Sequence, residues 1–433
     1  MNWPGHLVTG QGDPAELFGV HTTQALANFD VRGPSLRDYP QLVRAVAMVK
    51  IAAARANVRV GALSPDVAGA IVAAAREIGS GAHDDQFVLP ILQGGGGTST
   101  NMTVNEVIAR RAEQLLRARG SDLPVHPNDH VNRGQSTNDV MPTAIALAVC
   151  EAAGPTIAAL GHLVTALQDK AVQYRSLERL GRTCLQDAIA LPAGALHETH
   201  AHGIERAVLA LGRSVEVLLA VPLGGTAVGT GVGAAPGFAE IAIAELALLS
   251  GRPVIAADNP CFAMASLEPL VAVSESVDRC ARAAARVATD LRLLASGPVG
   301  GIGEIELPAV QAGSSIMPGK VNPVIPELVM QIAFQIAGEA TSARLAAGAG
   351  ELEVSAMAPV VTLGLLAGLD RLGSAARLFA DRCVAGLRWN EAAVAANLAG
   401  SLTQAVTAAA TEGYDTVAGY GRTGAAMNGG EPS

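Results

Sequence analysis

The spacing of apolar residues constrains this chain more than any other feature. Residues 142–171, 234–249, 265–295 and 325–347 carry alanine, leucine and valine with charges at helical intervals, and alternation of β-branched with polar residues is nearly absent. These stretches read as long helices. Half of the 433 residues are apolar and only 3% are aromatic, so small side chains supply the apolar share and let helices pack closely. The expected fold class is therefore all-α, a bundle of long helices. A chain of this length can bury a large core and suggests about three domains.

The composition also narrows the partners. The formal charge is −9 and no basic patch is evident, which disfavours nucleic acid. Residues 241–249 are apolar but short and contain Glu245, and no uncharged run reaches the length a bilayer requires. Met1-Asn2-Trp3-Pro4-Gly5-His6 lacks a basic region and an apolar core, so no signal peptide is expected and a cytoplasmic location follows. Cysteines at 150, 184, 261, 280 and 383 form no CxxC pair and are odd in number, against a disulfide framework or a zinc site. His197, His200 and His202 lie close in sequence, but the first two are three residues apart where the zinc-protease pattern needs four, so no metal is expected.

The chemistry lies in three runs. Residues 313–323 read Gly-Ser-Ser-Ile-Met-Pro-Gly-Lys-Val-Asn-Pro, a loop presenting two hydroxyls, an ammonium and a carboxamide between glycines and prolines. A phosphate-binding loop fails on spacing, because five residues separate Gly313 from Gly319 where that motif has four, and Val321 stands where a hydroxyl must bind Mg²⁺. Gln93-Gly94-Gly95-Gly96-Gly97-Thr98-Ser99-Thr100-Asn101-Met102 opens a helical pattern, as an anion-binding turn or as a flexible linker. His126-Pro127-Asn128-Asp129-His130 leads to Gln135-Ser136-Thr137-Asn138-Asp139, which caps a helix and offers its N-terminus to a carboxylate.

These runs resemble the signatures of the fumarase/aspartase superfamily, and those of its aspartate ammonia-lyase branch more than of its fumarases. The resemblance covers nearly the whole chain to residue 390. It implies an all-α enzyme with a helical domain over 1–132, a long-helix bundle over 133–388 and a shortened C-terminal domain over 389–433, while the glycine content and missing apolar period of the residues after about Gly419 predict a disordered tail. It implies a lyase that takes ammonia or an amine from L-aspartate or a close derivative and releases fumarate, through an aci-carboxylate intermediate. Ser314 then falls on the family's base, and Ser315 and Lys320 face substrate carboxylates. Lys320 and the Asn322 amide meet the charge of the intermediate. A serine is a poor base unless nearby donors stabilise its alkoxide. Thr98, Ser99, Asn101, Ser136, Thr137, Asn138 and Cys184 match substrate-contacting positions. No organic cofactor is required, the partner is a small dicarboxylate, and family active sites combine three subunits of a homotetramer.

Two departures bear on the substrate. In Gly181-Arg182-Thr183-Cys184-Leu185-Gln186-Asp187 the cysteine replaces a histidine that fumarases tie to proton transfer, which counts against malate dehydration. Cys184 itself is expected to be a small buried or pocket-lining side chain, with a reactive thiol as the alternative if a nearby cation lowers its pKa. The chain also stops soon after Gly413-Tyr414-Asp415, where the family continues with a further helical segment. A fumarate hydratase is the alternative enzyme, since fumarases carry the same His126–His130 string at a second anion site. A catalytically silent oligomer is the alternative outside catalysis.

Overall fold

A computed structural model describes residues 16–399, 401 and 403–423. Helix dominates them, as the apolar period predicts. In chain order the helices are α1 (Val20–Asn28), α2 (Pro40–Arg59), α3 (Pro65–Gly79), α4 (Thr98–Arg117), α5 (Thr137–Gln173), α6 (Ala193–Val217), α7 (Phe238–Ser250), α8 (Pro260–Ala265), α9 (Glu268–Leu294), α10 (Val324–Gly348), α11 (Ala358–Phe379), α12 (Glu391–Ala399), α13 (Thr403–Glu412) and α14 (Tyr414–Thr423). Among the described residues six short strands make three two-stranded sheets. β1 (Glu178–Thr183) and β2 (Gln186–Pro192) are antiparallel, β3 (Ala220–Val221) and β4 (Ile255–Ala256) parallel, and β5 (Ile305–Glu306) and β6 (Arg388–Trp389) antiparallel.

α5 is the longest helix, with 37 residues. At 1.5 Å per residue it spans about 55 Å. Among the described residues α5 is long and apolar enough to cross a membrane by length and composition, although Glu151 interrupts it. Its most apolar stretch is nevertheless 61% buried within the protein, the condition of a core helix.

Contacts divide the chain into two units, each assembled from three stretches. The first comprises Met1–Ala158, Ala207–Ala281 and Ile332–Ser374, and the second Ala159–Arg206, Arg282–Gln331 and Ala375–Ser433.

In the first unit α2 packs on α3 and α7, and α3 packs on α4. Pro40 opens α2 where no backbone donor is needed, and Ser64 caps α3 by accepting from the Val67 N–H. The buried face of α2 is made of Val43, Val46, Ala47, Val49 and Ala53. Alanine and glycine bring helices together. A methyl on Gly373 of α11 would stand 3.3 Å from Thr156 of α5, whose Oγ1 donates to the Leu369 carbonyl at 2.9 Å. Glu106 of α4 anchors the start of α1, accepting from the Gly19, His21 and Thr22 N–H groups and the Thr22 hydroxyl.

In the second unit the β1–β2 hairpin is tied to α12 through Glu304. That fully buried carboxylate accepts both Arg182 Nη1 and Nη2 at 2.9 and 2.7 Å, and Asn397 Nδ2 at 2.8 Å. Two histidines of α6 are buried and paired within the fold. His197 Nε2 accepts the Trp389 indole N–H at 3.0 Å, and burial pushes its imidazole down to about 3, so it stays neutral. His200 Nε2 meets Asp290 Oδ2 at 2.9 Å. α14 continues to Thr423, past Gly419 where order is expected to end, and the remaining tail lies outside the described residues.

Candidate active site

The glycine run is a fixed turn and not a linker. Gly95, Gly96 and Gly97 follow one another in the left-handed region, with φ of 81°, 63° and 97°, and the chain enters α4 directly at Thr98. A methyl on Gly97 would lie 3.1 Å from Met141 of α5. The turn therefore seats the start of α4 beside the start of α5. Thr98 is exposed, and its Oγ1 donates to the Gly95 carbonyl at 2.8 Å. Ser99 is half-buried, and its carbonyl accepts from Thr103 Oγ1. Asn101 is buried and joins the two segments, donating Nδ2 to both Asn132 Oδ1 and Thr137 Oγ1 at 3.2 Å.

At the start of α5, Ser136 Oγ accepts from the Asn138 N–H at 3.2 Å while its own N–H donates to Asp139 Oδ1 at 2.9 Å, a reciprocal cap. Asn138 Nδ2 donates to the Ala227 carbonyl at 2.8 Å. Thr98, Ser99, Asn101, Ser136, Thr137 and Asn138 thus gather around two helix N-termini, where the positive end of the helix dipole favours an anion.

Beneath these residues lies a polar core that sequence reasoning missed. Lys50 of α2 is fully buried and donates Nζ to Asn132 Oδ1 at 2.8 Å and to Gln135 Oε1 at 3.0 Å. Asn132 Oδ1 also accepts from Asn105 Nδ2 at 3.3 Å. Burial pushes the Lys50 ammonium down to about 7, with the Asp139 charge opposing that shift. Burial likewise raises the Asp139 carboxyl to about 6 against the pull of three backbone N–H bonds and of Lys50. The signal was a lone lysine inside the apolar run Val46-Ala47-Met48-Val49-Lys50-Ile51-Ala52, which has no helical face left for solvent.

The second unit holds the remaining candidates. The loop 313–323 closes on itself: the Gly313 N–H donates to the Lys320 carbonyl at 2.8 Å, and Asn322 Nδ2 donates to the Gly313 carbonyl at 2.8 Å. A side chain at Gly313 could not be accommodated, since its Cβ would stand 2.6 Å from the Lys320 carbonyl. Inside this ring Ser314 Oγ accepts two backbone N–H groups, from Ile316 at 3.2 Å and Met317 at 3.0 Å. Ser315 and Lys320 are exposed, and Ser314 and Lys320 border an open hollow of about 420 Å³. Asn322 therefore staples the loop.

Of the two placements expected for Cys184, buried or pocket-lining, the single chain excludes the first. The residue stands exposed at the tip of the β1–β2 hairpin, whose strands end at the pair Thr183–Gln186, leaving Cys184 and Leu185 as a two-residue connection at φ of 53° and 61°. Such turns normally use glycine or asparagine, so two ordinary side chains here hold a strained conformation.

Comparison with known proteins decides the family. A lyase family profile matches residues 10–338, and the chain is 40% identical to the aspartate ammonia-lyase of Bacillus subtilis over 86% of its own length and 78% of that protein's. The chain belongs to the fumarase/aspartase superfamily of lyases. Identity does not separate the branches within it. The class II fumarate hydratase of Methylorubrum extorquens is also 40% identical, over 95% of this chain and 87% of that one. The crystal structure of a fumarate lyase:delta crystallin from Brucella melitensis, bound to cobalt, superposes with a TM-score of 0.90 at 40% identity, covering 94% of this chain and 89% of that one. The superfamily's helical-bundle fold is thus the fold of this chain.

Proposed function

We propose that this lyase removes ammonia, or a substituted amine, from L-aspartate or a close derivative by anti elimination and releases fumarate. The observation that carries the reading is the pair of backbone N–H groups on Ser314 Oγ. A serine can take the β-proton only if its alkoxide is stabilised, and two aligned donors offer that without a side chain. Proton removal next to a carboxylate makes a doubly charged aci-carboxylate. Lys320, on the same loop, supplies the compact positive charge to meet it, and the helix starts around Thr98 and Ser136–Asn138, contributed by other subunits, supply positive helix ends for the other carboxylate.

The choice of leaving group rests on position 184. An exposed thiol on a hairpin tip cannot replace the imidazole that fumarases tie to proton transfer, so water is the poorer leaving group here. A fumarate hydratase is the second reading, favoured by the longer match to the class II enzymes. A silent homologue is disfavoured because Ser314 and Lys320 are both present in a closed loop. The test follows fumarate by its ultraviolet absorbance with L-aspartate, N-substituted aspartates and L-malate as substrates. An amine adduct is expected to react much faster than L-malate, and faster malate turnover would reverse the assignment.

A cytoplasmic homotetramer with sites shared between subunits is part of the proposal. Leu209 and Val217 of α6 and Phe334 and Leu345 of α10 stand more than half exposed in the single chain, consistent with long helices that bury them against other copies. Mixing a Thr98→Ala with a Ser314→Ala variant under subunit exchange is expected to restore a fraction of the activity. A fully active monomer in solution would contradict shared sites.

A further inference from the structure

We infer that Asp139 is a positioning residue for this elimination, its carboxylate locking the start of α5 to the turn at residues 224–227 so that both form one anion-binding edge. The inference rests on the functional reading above and adds a residue that shapes its site. Three backbone donors converge on Asp139: the Ser136 N–H on Oδ1 at 2.9 Å, and the Gly224 and Thr226 N–H groups on Oδ2 at 3.0 and 2.9 Å. Thr226 needs such holding. It lies at φ 59°, a left-handed conformation that is strained for a β-branched residue. Gly224, at φ 93°, lies so close to α7 that a methyl there would overlap Ala239. From the other side, Asn138 Nδ2 reaches the Ala227 carbonyl, so a proposed substrate residue is itself fastened to this turn.

The charge on Asp139 is not kept for stability. Its folded value, about 6, lies above its ordinary 3.8, so the stability it contributes is full at low pH and is lost as pH rises through about 6. The fold is thus less stable with Asp139 ionised than with it protonated, so stability alone does not account for a charge at this position. Lys50 is the charge that faces it. Among the charged groups on the elements packed against α2, Glu106 is held by the start of α1, Glu245 by Arg55 and Arg59, Glu77 by Arg111, and His130 by the His126 N–H.

The experiment is Asp139→Asn in the full chain, which keeps the volume and removes the charge. KM for the reacting fumarate adduct is expected to rise about tenfold or more while kcat falls less than about threefold. Amide exchange should quicken at Ser136, Gly224 and Thr226 together while the rest of α5 keeps its protection. In the native enzyme KM should climb as pH falls through about 6, and this acid limb should be absent from the variant. Unchanged KM with native exchange rates in Asp139→Asn overturns the inference. If the variant fails to fold, a native KM that stays flat from about pH 8 to pH 5 overturns it instead. Should the native protein turn over no fumarate adduct, the functional reading fails, and amide exchange in Asp139→Asn still decides whether the carboxylate joins the two segments.

Discussion

Ser314→Ala is expected to lower kcat by about 10²–10⁴-fold, the usual contribution of a positioned base, with KM and melting temperature close to native. The side chain is half-buried on a loop whose closure depends on other atoms: the Gly313 N–H to the Lys320 carbonyl and Asn322 Nδ2 to the Gly313 carbonyl. Removing the hydroxyl leaves that ring intact. It frees the Ile316 and Met317 N–H groups, which lie where water can reach them, so little stability is at risk. Steady-state kinetics with the reacting fumarate adduct measure the effect. A variant retaining most of the native rate would move the base elsewhere.

Lys320→Ala should instead damage both binding and chemistry, raising KM and lowering kcat so that kcat/KM falls by about 10³-fold or more. Its ammonium is exposed on the loop surface, and its backbone carbonyl, which alanine retains, holds the loop closed. The loss is thus confined to the charge that meets the substrate carboxylate before and after proton removal. Lys320→Arg keeps the charge with a different shape and should recover part of the binding and less of the rate. If Lys320→Ala changed KM alone, the residue would bind substrate without stabilising the intermediate.

Much of this account is legible in the chain. The alanine-rich period gives α5, α9 and α10 because a helical stripe needs only local spacing, and the loop 313–323 stands out because its hydroxyls and lysine have no packing use at that spacing. Burial and long-range pairing are less visible. Asp139 reads as a helix cap, and its bonds to Gly224 and Thr226 reach across 85 and 87 residues with no mark in either segment. Cys184 reads as a small buried residue because Cys-Leu carries no signature of the two-residue hairpin turn it forms. The spacing of the α6 histidines already argues against a metal, but nothing in the sequence marks Trp389 and Asp290 as the partners of His197 and His200.

The central claim, amine elimination through a base that delivers and removes one defined proton, is tested most directly in reverse. The enzyme is incubated with fumarate and ammonium in deuterated water, where water and ammonia compete for the same double bond, and the products are followed by proton NMR. The expected product is aspartate carrying one deuterium at Cβ as a single diastereomer, formed well ahead of any malate. Malate as the main product, or deuterium spread over both diastereomers of aspartate, would contradict the account.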